Sequence, residues 1–244
     1  MRNTLLLLVI ALTACKGKPV THGAGSGSSA AVGSASMGAL VAQKSKDVAP
    51  DIVLPHSDGS APIKTTAPLT ADKLKTLSDM QFAGFLRSPR AVGDTSLEIE
   101  HKTDSRPRVM ALVSISTCGS ACTPMDLDAW KPKTDELKKA TLGALADVPD
   151  SVFELGATEV NGAKAIYTTE LGQSFKKDED GNTTGTFLYG YNLYFNDGVN
   201  QIKVAAEFKD DPMATKEAMA KLIPRGDLEK VAKSFVDIYT HRWQ

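Results

Sequence analysis

The segment from Thr186 to Phe208 constrains the fold more than any other part of this 244-residue chain. Large apolar side chains occupy every second position on both sides of a turn at Asn196-Asp197-Gly198. Because residues two apart lie on the same face of a strand, the pattern predicts a long antiparallel hairpin with one aromatic face. Other elements of the chain must cover that face. The alternating residues are Phe187, Tyr189, Tyr191, Leu193, Phe195, Ile202, Val204, Ala206 and Phe208.

Two segments before this hairpin are predicted to be strands. Residues 96–102 alternate between apolar and charged side chains, which is typical of a half-buried strand. We assign His101 to the polar side of that strand, with Glu98 and Glu100 at ordinary outward positions. Residues 108–116 are apolar on both faces, which indicates a strand that is covered on both sides.

A second hairpin is predicted over residues 152–160 and 163–171. The dipeptide between them, Asn161-Gly162, favours a two-residue turn because both central residues of that turn need a positive φ. With the strands described above, the predicted sheet has about six antiparallel strands.

Helices are predicted at both ends of the folded part. Thr70 is a suitable N-cap for a short helix that ends near Ser78. Asp211-Pro212 is a typical helix start, and that helix is expected to end at about Ile223. The sequence shows no internal repeat.

The last helix is expected to begin at Asp227 and to pack on the sheet. Its apolar residues recur at helical spacing, so they form one stripe that must be buried. The sequence thus predicts a single α+β domain over 70–244, with C-terminal helices packed on the antiparallel sheet. The stripe consists of Leu228, Val231, Phe235, Ile238 and Tyr239.

This order of elements resembles the PsbP/Mog1-like folds. The likeness rests on the Asn161-Gly162 turn, the aromatic strand, the Asp197-Gly198 turn and the final helix. The resemblance implies a sandwich of sheet and helices in a family made up mostly of binding and assembly proteins.

The first fifteen residues indicate export. Arg2 supplies a positive start, and an apolar run too short to span a bilayer leads to Leu12-Thr13-Ala14-Cys15. This ending resembles a bacterial lipobox, which implies a signal peptide over 1–14 that is removed and lipidation of Cys15. The bilayer, reached through the acylated Cys15, would then be one partner of the protein.

Residues 15–69 are predicted to form a disordered tether that is rich in Gly, Ala, Ser and Pro. Lys16, and not Asp, follows the lipid-bearing cysteine. By resemblance to Gram-negative lipoproteins, this favours the outer membrane, facing the periplasm. After the leader, no second apolar run is long enough to span a membrane. The formal net charge of −1 and the lack of a Lys/Arg cluster argue against nucleic acid as a partner.

Cys118 and Cys122 are the sharpest chemical feature of the predicted domain. Three residues separate them, so they can close a small disulfide or hold a soft metal such as Cu(I). The motif resembles the Cys-x-x-x-Cys of Sco copper chaperones, but Thr123 stands where those proteins place proline. Met125 is a possible soft ligand, and His241 is the only histidine downstream. We favour a structural disulfide, because exported proteins keep such bonds.

Three other groups of residues invite a functional interpretation. The stretch 178–182 is acidic, but it lacks the glycine and glutamate positions of an EF-hand loop, so we expect a solvated turn. Tyr189 and Tyr191 are expected in the core, while Tyr194 lies opposite them. The four histidines have no metal-ligand spacing, and His22 and His56 fall outside the predicted domain.

These observations together predict a non-enzymatic, membrane-anchored lipoprotein of the bacterial cell envelope. It would bind or assemble with an envelope protein or ligand that the sequence does not identify, and it needs no cofactor. A periplasmic thiol–disulfide or copper-handling protein that uses Cys118 and Cys122 is the alternative. A hydrolase is a third possibility, although no motif assembles a nucleophile with a base.

Overall fold

A computed structural model describes residues 54–55, 67–105, 108–177, 179–181, 183–208, 221 and 223–243. All of them belong to one compact unit of the chain, residues 44–244. The predicted signal peptide, Cys15, most of the tether, and residues 211–220 and 222 of the predicted helix lie outside the described residues and stay predictions. In the part that is described, no helix is long and apolar enough to cross a membrane.

The described residues form an α+β domain around one antiparallel sheet of seven strands, in the order β1-β2-β3-β7-β6-β5-β4. Each strand is antiparallel to its neighbours, and most neighbours in the sheet follow each other along the chain. The strands are β1 (Phe85–Val92), β2 (Ser96–Thr103), β3 (Val109–Thr117), β4 (Val152–Val160), β5 (Ala163–Lys177), β6 (Thr183–Asn196) and β7 (Asn200–Phe208).

In the described part of the chain, four helices accompany the sheet, together with three short 3₁₀ turns. The first helix begins as predicted, because the Thr70 hydroxyl accepts a hydrogen bond from the N–H of Lys73 at 3.2 Å. Its two leucines, Leu74 and Leu77, are buried. The helices are α1 (Ala71–Ser78), α2 (Leu127–Trp130), α3 (Thr134–Leu142) and α4 (Arg225–Arg242), and the 3₁₀ turns are Gly119–Ala121, Lys131–Lys133 and Gly143–Leu145.

Strand β1 was not predicted, so the estimate of about six strands was one too few. It is an edge strand in which only Phe85 is fully buried, and it therefore lacks the alternating apolar pattern. Pro89 lies in it beside a break in the register between Pro89 and Ala91. Proline is tolerated at such a place because the N–H of an edge residue can point away from the sheet.

The two predicted hairpins are confirmed. Asn161 and Gly162 both have a positive φ, at 49° and 76°, and Val160 pairs with Ala163 across the turn. In the longer hairpin, Tyr191 pairs with Ala206 and lies on the buried face. The turn of this hairpin is held by the Asp197 carboxylate, which accepts from the N–H groups of Val199 and Asn200 at 2.8 and 2.7 Å.

Helix α4 covers one face of the sheet, mainly over β6 and β7, as its apolar stripe predicts. Leu228, Val231 and Phe235 are fully buried, and each such side chain contributes roughly 1.5–3 kcal/mol. The helix begins at Arg225 after Pro224, two residues before the predicted cap. Asp227 lies in its first turn and pairs with Lys230 at 2.8 Å. We call the covered side the helix face of the sheet.

His101 was assigned to the wrong side of β2. It is fully buried on the helix face, where it shares the side of Leu97 and Ile99. Its Nε2 lies 2.8 Å from the Tyr239 hydroxyl, and its ring stacks on Phe235 at 4.9 Å. The correction follows from parity, because residues two apart on a strand point to the same face.

The segment between β3 and β4 lies on the opposite face of the sheet, over β4, β5 and β6. Leu142 and Leu145 are buried there, and Leu145 approaches Gly172 so closely that a Cβ on this glycine would lie 2.9 Å from its Cδ1 atom. Trp130 packs against Tyr194 with ring centroids 4.9 Å apart. This part of the sheet is therefore enclosed between α4 and the segment, and we call the second side the loop face.

Candidate functional site

The disulfide loop begins where β3 ends. Cys118 and Cys122 are joined by a disulfide, with a Cα–Cα distance of 5.0 Å. Between them the chain makes a single 3₁₀ turn, which Gly119 enters with a φ of 49°. The N–H groups of Cys118 and Gly119 both donate to the carbonyl oxygen of Val199 at 2.9 Å. The loop is therefore fixed to the turn between β6 and β7.

After Cys122 the chain is held against the loop face by two further hydrogen bonds. The Asn196 side-chain amide donates to the carbonyl oxygen of Thr123 at 2.7 Å. The Trp130 indole N–H donates to the carbonyl oxygen of Pro124 at 2.9 Å. These bonds place Met125 and the residues after it beside the start of β5.

A connected pair of clefts follows from this arrangement. The first, of about 410 Å³, lies between Met125 and Asp126 on one side and Lys164, Phe195 and Asp197 on the other. The second, of about 310 Å³, shares Met125, Asp126 and Lys164. It continues to Ala157 and Glu159 of β4. Both are open and of mixed polarity, which suits a peptide or polar partner better than a small apolar ligand.

A third cleft, of about 200 Å³, opens on the helix face at the same end of β4. Glu159 and Asn161 line one side of it, and Lys233 and Ser234 of α4 line the other. The Asn161 side-chain amide donates to the Asp237 carboxylate, which ties the turn between β4 and β5 to α4. We call the three clefts together the β4-end clefts.

The chain enters the domain at this same end of the sheet. The N–H of Leu69 donates to the Thr117 hydroxyl at 3.1 Å and to the Asn200 side-chain oxygen at 3.3 Å. The Asn200 amide donates in turn to the carbonyl oxygen of Ala67 at 3.1 Å. Residues 67–69 therefore join the domain beside the disulfide loop.

The residues proposed for copper binding are divided between different places. Met125 lines the two clefts of the loop face, next to the bonded cysteines. His241 lies in α4, where its Nδ1 is 2.9 Å from the Asp237 carboxylate. Among the residues that the structure describes, no group of three or more His, Cys, Asp or Glu side chains could hold a metal ion.

The tyrosines are divided as predicted between core and surface. Tyr189 and Tyr191 are buried under α4, and the Tyr189 hydroxyl donates to the carbonyl oxygen of Ile223 at 2.6 Å. Tyr194 lies on the loop face, where Lys203 is 5.4 Å from its ring centroid. In the acidic stretch, Glu179–Gly181 forms an exposed turn between β5 and β6, while Asp178 and Asn182 lie outside the described residues.

A buried polar cluster on the loop face was missed by sequence reasoning. Glu170 is only 2% exposed, and its Oε1 accepts from the Asn192 side-chain amide at 2.6 Å. The same amide donates to the Thr168 hydroxyl at 3.2 Å. The second carboxylate oxygen of Glu170 is buried and makes no hydrogen bond to any residue that the structure describes. The only sequence signal for this cluster is that Glu170 lies in a strand, β5, which has another strand on each side of it in the sheet.

Burial raises the pKa of Glu170 to about 8. The hydrogen bond from Asn192 opposes this shift, Glu207 adds to it, and Lys203 opposes it. The His101 ring on the other face shows the converse effect. Burial, aided by the positive charge of Arg87, lowers the pKa of His101 to about 4. The fold therefore holds one neutral acid and one neutral base on opposite faces of its sheet near pH 6.

No protein-family model, no curated protein and no solved structure matches this chain. What the chain does must therefore be inferred from its own residues.

Proposed function

We propose that this protein is a lipid-anchored lipoprotein of the bacterial cell envelope that binds or assembles with a partner and has no catalytic role. Cys15 carries the lipid, and the tether holds the domain on the periplasmic side, at the outer membrane. The observation that carries the proposal is the pairing of Cys118 with Cys122. Disulfides persist in exported proteins, and this bond leaves Cys15, at the end of the leader, as the one remaining cysteine of the sequence.

The position of the chain entry supports a role in binding. Residues 67–69 join the domain beside the disulfide loop, at the end of the sheet where the β4-end clefts open. An anchor at Cys15 would therefore hold these clefts at the end of the domain that the tether enters. As a flexible coil, the 34 residues 16–49 of the predicted tether would span roughly 30 Å, which would leave room for a partner between the domain and the bilayer.

We also propose that the domain is a variant of the PsbP/Mog1-like architecture. Its support is the antiparallel sheet with hairpins before a C-terminal helix that lies across one face. An experimental structure of the domain tests this proposal. A sheet order other than β1-β2-β3-β7-β6-β5-β4 would remove its basis.

Fractionation of cells tests the anchor. The wild-type protein is expected in the membrane fraction, while Cys15→Ala is expected in the soluble periplasmic fraction, because the anchor is covalent and no described helix spans a membrane. Cys118→Ala is the matched control, since it removes a cysteine that carries no lipid. Because Cys15→Ala also alters the cleavage point of the leader, only protein that has lost the leader is compared, and leaderless Cys15→Ala protein that stays in the membrane fraction would contradict the proposal.

The thiol–disulfide or copper-handling function is retained as a second candidate, because Cys118 and Cys122 are both partly exposed in a loop beside Met125. Thiol titration before and after a mild reductant, with and without Cu(I), separates the two. A bond that resists the reductant and a protein that does not bind Cu(I) favour the structural disulfide. A pair that cycles readily and binds one Cu(I) would favour the second function.

A further inference from the structure

Among the described strands, β4 is the last at one side of the sheet and has a neighbour only in β5. Val160 and Ala163 close the two-residue turn, and in such a hairpin the closing residues exchange both backbone hydrogen bonds. The backbone groups of Ala157 and Glu159 then point away from β5. Outside the strand ladders, no backbone hydrogen bond among the described residues reaches either of them. This part of β4 therefore presents donors and acceptors to an added strand.

Clefts flank this open edge on both faces of the sheet. On the loop face, Met125 and Leu127 form the wall of a cleft of about 310 Å³ whose floor includes Ala157 and Glu159. On the helix face, Lys233 and Ser234 form the wall of the cleft of about 200 Å³ beside Glu159. An extended peptide directs alternate side chains to opposite faces. Paired with β4, it would therefore fill both clefts in turn.

The charges of the β4-end clefts favour a cationic occupant. Carboxylates outnumber ammonium groups around the clefts, and the Lys233 ammonium already pairs with Glu229 at 2.8 Å. A basic side chain in the cleft on the loop face would lie near carboxylates in a partly enclosed place, where charge pairing is stronger than in open water. The groups are Asp126, Glu159, Asp197 and Asp237 against Lys164 and Lys233. Asp197 already accepts from the N–H groups of its turn, and Asp237 is engaged by Asn161 and His241, so the charge argument rests on Asp126 and Glu159 beside Lys164 on the loop face.

We propose that the free edge of β4 binds an extended, positively charged segment of another protein by strand addition. The backbone of Ala157 and Glu159 supplies the hydrogen bonds, and the clefts on the two faces take alternate side chains of the segment. This inference rests on the proposed binding function and names its surface and the chemistry of its partner.

Fluorescence anisotropy with labelled nine-residue peptides tests the proposal on the full-length protein. The probe alternates lysine with valine, and the matched peptide alternates glutamate with valine. The cationic peptide is expected to bind one molecule per protein, and the anionic peptide is expected to bind at least about tenfold more weakly. Because surface charges are screened by salt, the difference should shrink as the salt concentration rises.

Ala157→Pro is the decisive variant. It removes the outward N–H but leaves the ladder between β4 and β5 intact, since that N–H takes no part in the ladder. One lost hydrogen bond should weaken binding of the cationic peptide about tenfold. Ala157→Ser is the control, because it keeps the N–H. Asp126→Asn should weaken binding about threefold without affecting the strand edge.

Amide chemical shifts in NMR spectra locate the bound peptide independently of these variants. The largest changes are expected at residues 155–159. Equal binding of both peptides, unchanged binding by a folded Ala157→Pro variant, or shifts confined to another surface would overturn the proposal. Self-association through β4 without peptide binding, seen by sedimentation, would also overturn it. Peptide binding does not depend on the lipid. A failed peptide titration would therefore leave the proposed lipid anchor standing, and a protein found without lipid would leave the proposed strand addition standing.

Discussion

Replacing Glu170 by glutamine should make the domain more stable at neutral pH, although it alters a hydrogen-bonded buried side chain. Glutamine keeps an oxygen that can accept from Asn192 but cannot ionise. Glu170 is 2% exposed, and burial raises its pKa to about 8 from the ordinary value of 4.5. Above pH 4.5 the unfolded chain releases the proton, while the folded protein retains it up to about pH 8.

The sign and size of the effect follow from this difference. A group whose pKa is raised by folding stabilises the protein fully below pH 4.5, and this contribution is lost as the pH rises through about 8. Each pKa unit corresponds to about 1.4 kcal/mol. Between pH 5 and pH 7.5 the wild-type protein should therefore lose about 3 kcal/mol relative to Glu170→Gln. Any constant difference between the two side chains cancels in this comparison.

Urea unfolding of both proteins at pH 5, 6, 7 and 7.5, followed by circular dichroism, measures this quantity. The free energy of unfolding of Glu170→Gln minus that of the wild type should rise steadily with pH. Glu136→Gln is the matched control, because Glu136 is exposed on α3. Its difference from the wild type should stay constant. A constant difference for Glu170→Gln, within about 0.5 kcal/mol, would refute the interpretation of this carboxyl as a neutral buried acid.

Two further predictions concern His101 and the disulfide. Because burial and Arg87 lower the pKa of His101 from 6.5 to about 4, the contribution of His101 to stability should fall as the pH falls from 7 to 4. Glu170 acts in the opposite direction, so the test is the free energy of unfolding of His101→Gln minus that of the wild type, which should rise by about 3 kcal/mol between pH 7 and pH 4 in urea unfolding. Replacing Cys118 and Cys122 by serine should lower the free energy of unfolding by about 2 kcal/mol, which thermal unfolding can measure. The disulfide restricts the unfolded chain, and the effect is modest because the ring is small.

Each of these two has a clear contrary result. A difference between His101→Gln and the wild type that stays constant from pH 7 to pH 4 would show that His101 is not the titrating group. A Cys118→Ser, Cys122→Ser double variant that unfolds like the wild type would mean that the hydrogen bonds to Val199 hold the loop without the disulfide. The wild-type protein tested under reducing conditions loses the same bond without the substitutions and so controls for effects of serine itself.

The parts of the fold that the sequence predicts are those in which one local pattern determines one local structure. The alternation from Phe187 to Phe208 requires a hairpin with one buried face, and Asn161-Gly162 suits only a tight turn with positive φ. The strand β1 shows the limit of this reasoning. Its position at the sheet edge leaves most of its side chains exposed, so no apolar alternation exists to find.

The buried polar groups show a second limit. Whether Glu170 is buried depends on tertiary packing on the loop face, where Asn192 of β6 bonds to it and Leu145, from a distant part of the chain, lies over Gly172 two residues further along β5. His101 could have been placed correctly from parity with Leu97 and Ile99, since all three share one face of β2. Its contact with Tyr239 joins residues 138 positions apart, which no local pattern contains.

The candidate site was only partly visible in the sequence. Cys118 and Cys122 stand out by their spacing. Because they directly follow a segment that is predicted to be a buried strand, a loop is predicted there, at the end of the sheet. The clefts depend on how Met125 and Asp126 lie against Lys164 and the edge of β4. That arrangement is tertiary, because it needs Asn196 to hold the carbonyl of Thr123 from another strand.

Intact mass spectrometry of the protein extracted from its native membrane tests the central proposal most directly. We expect a polypeptide that begins at Cys15 and carries the added mass of acyl chains on that residue. A polypeptide that still begins at Met1, with an unmodified Cys15, would contradict the proposed anchor and with it the place of this protein in the cell envelope.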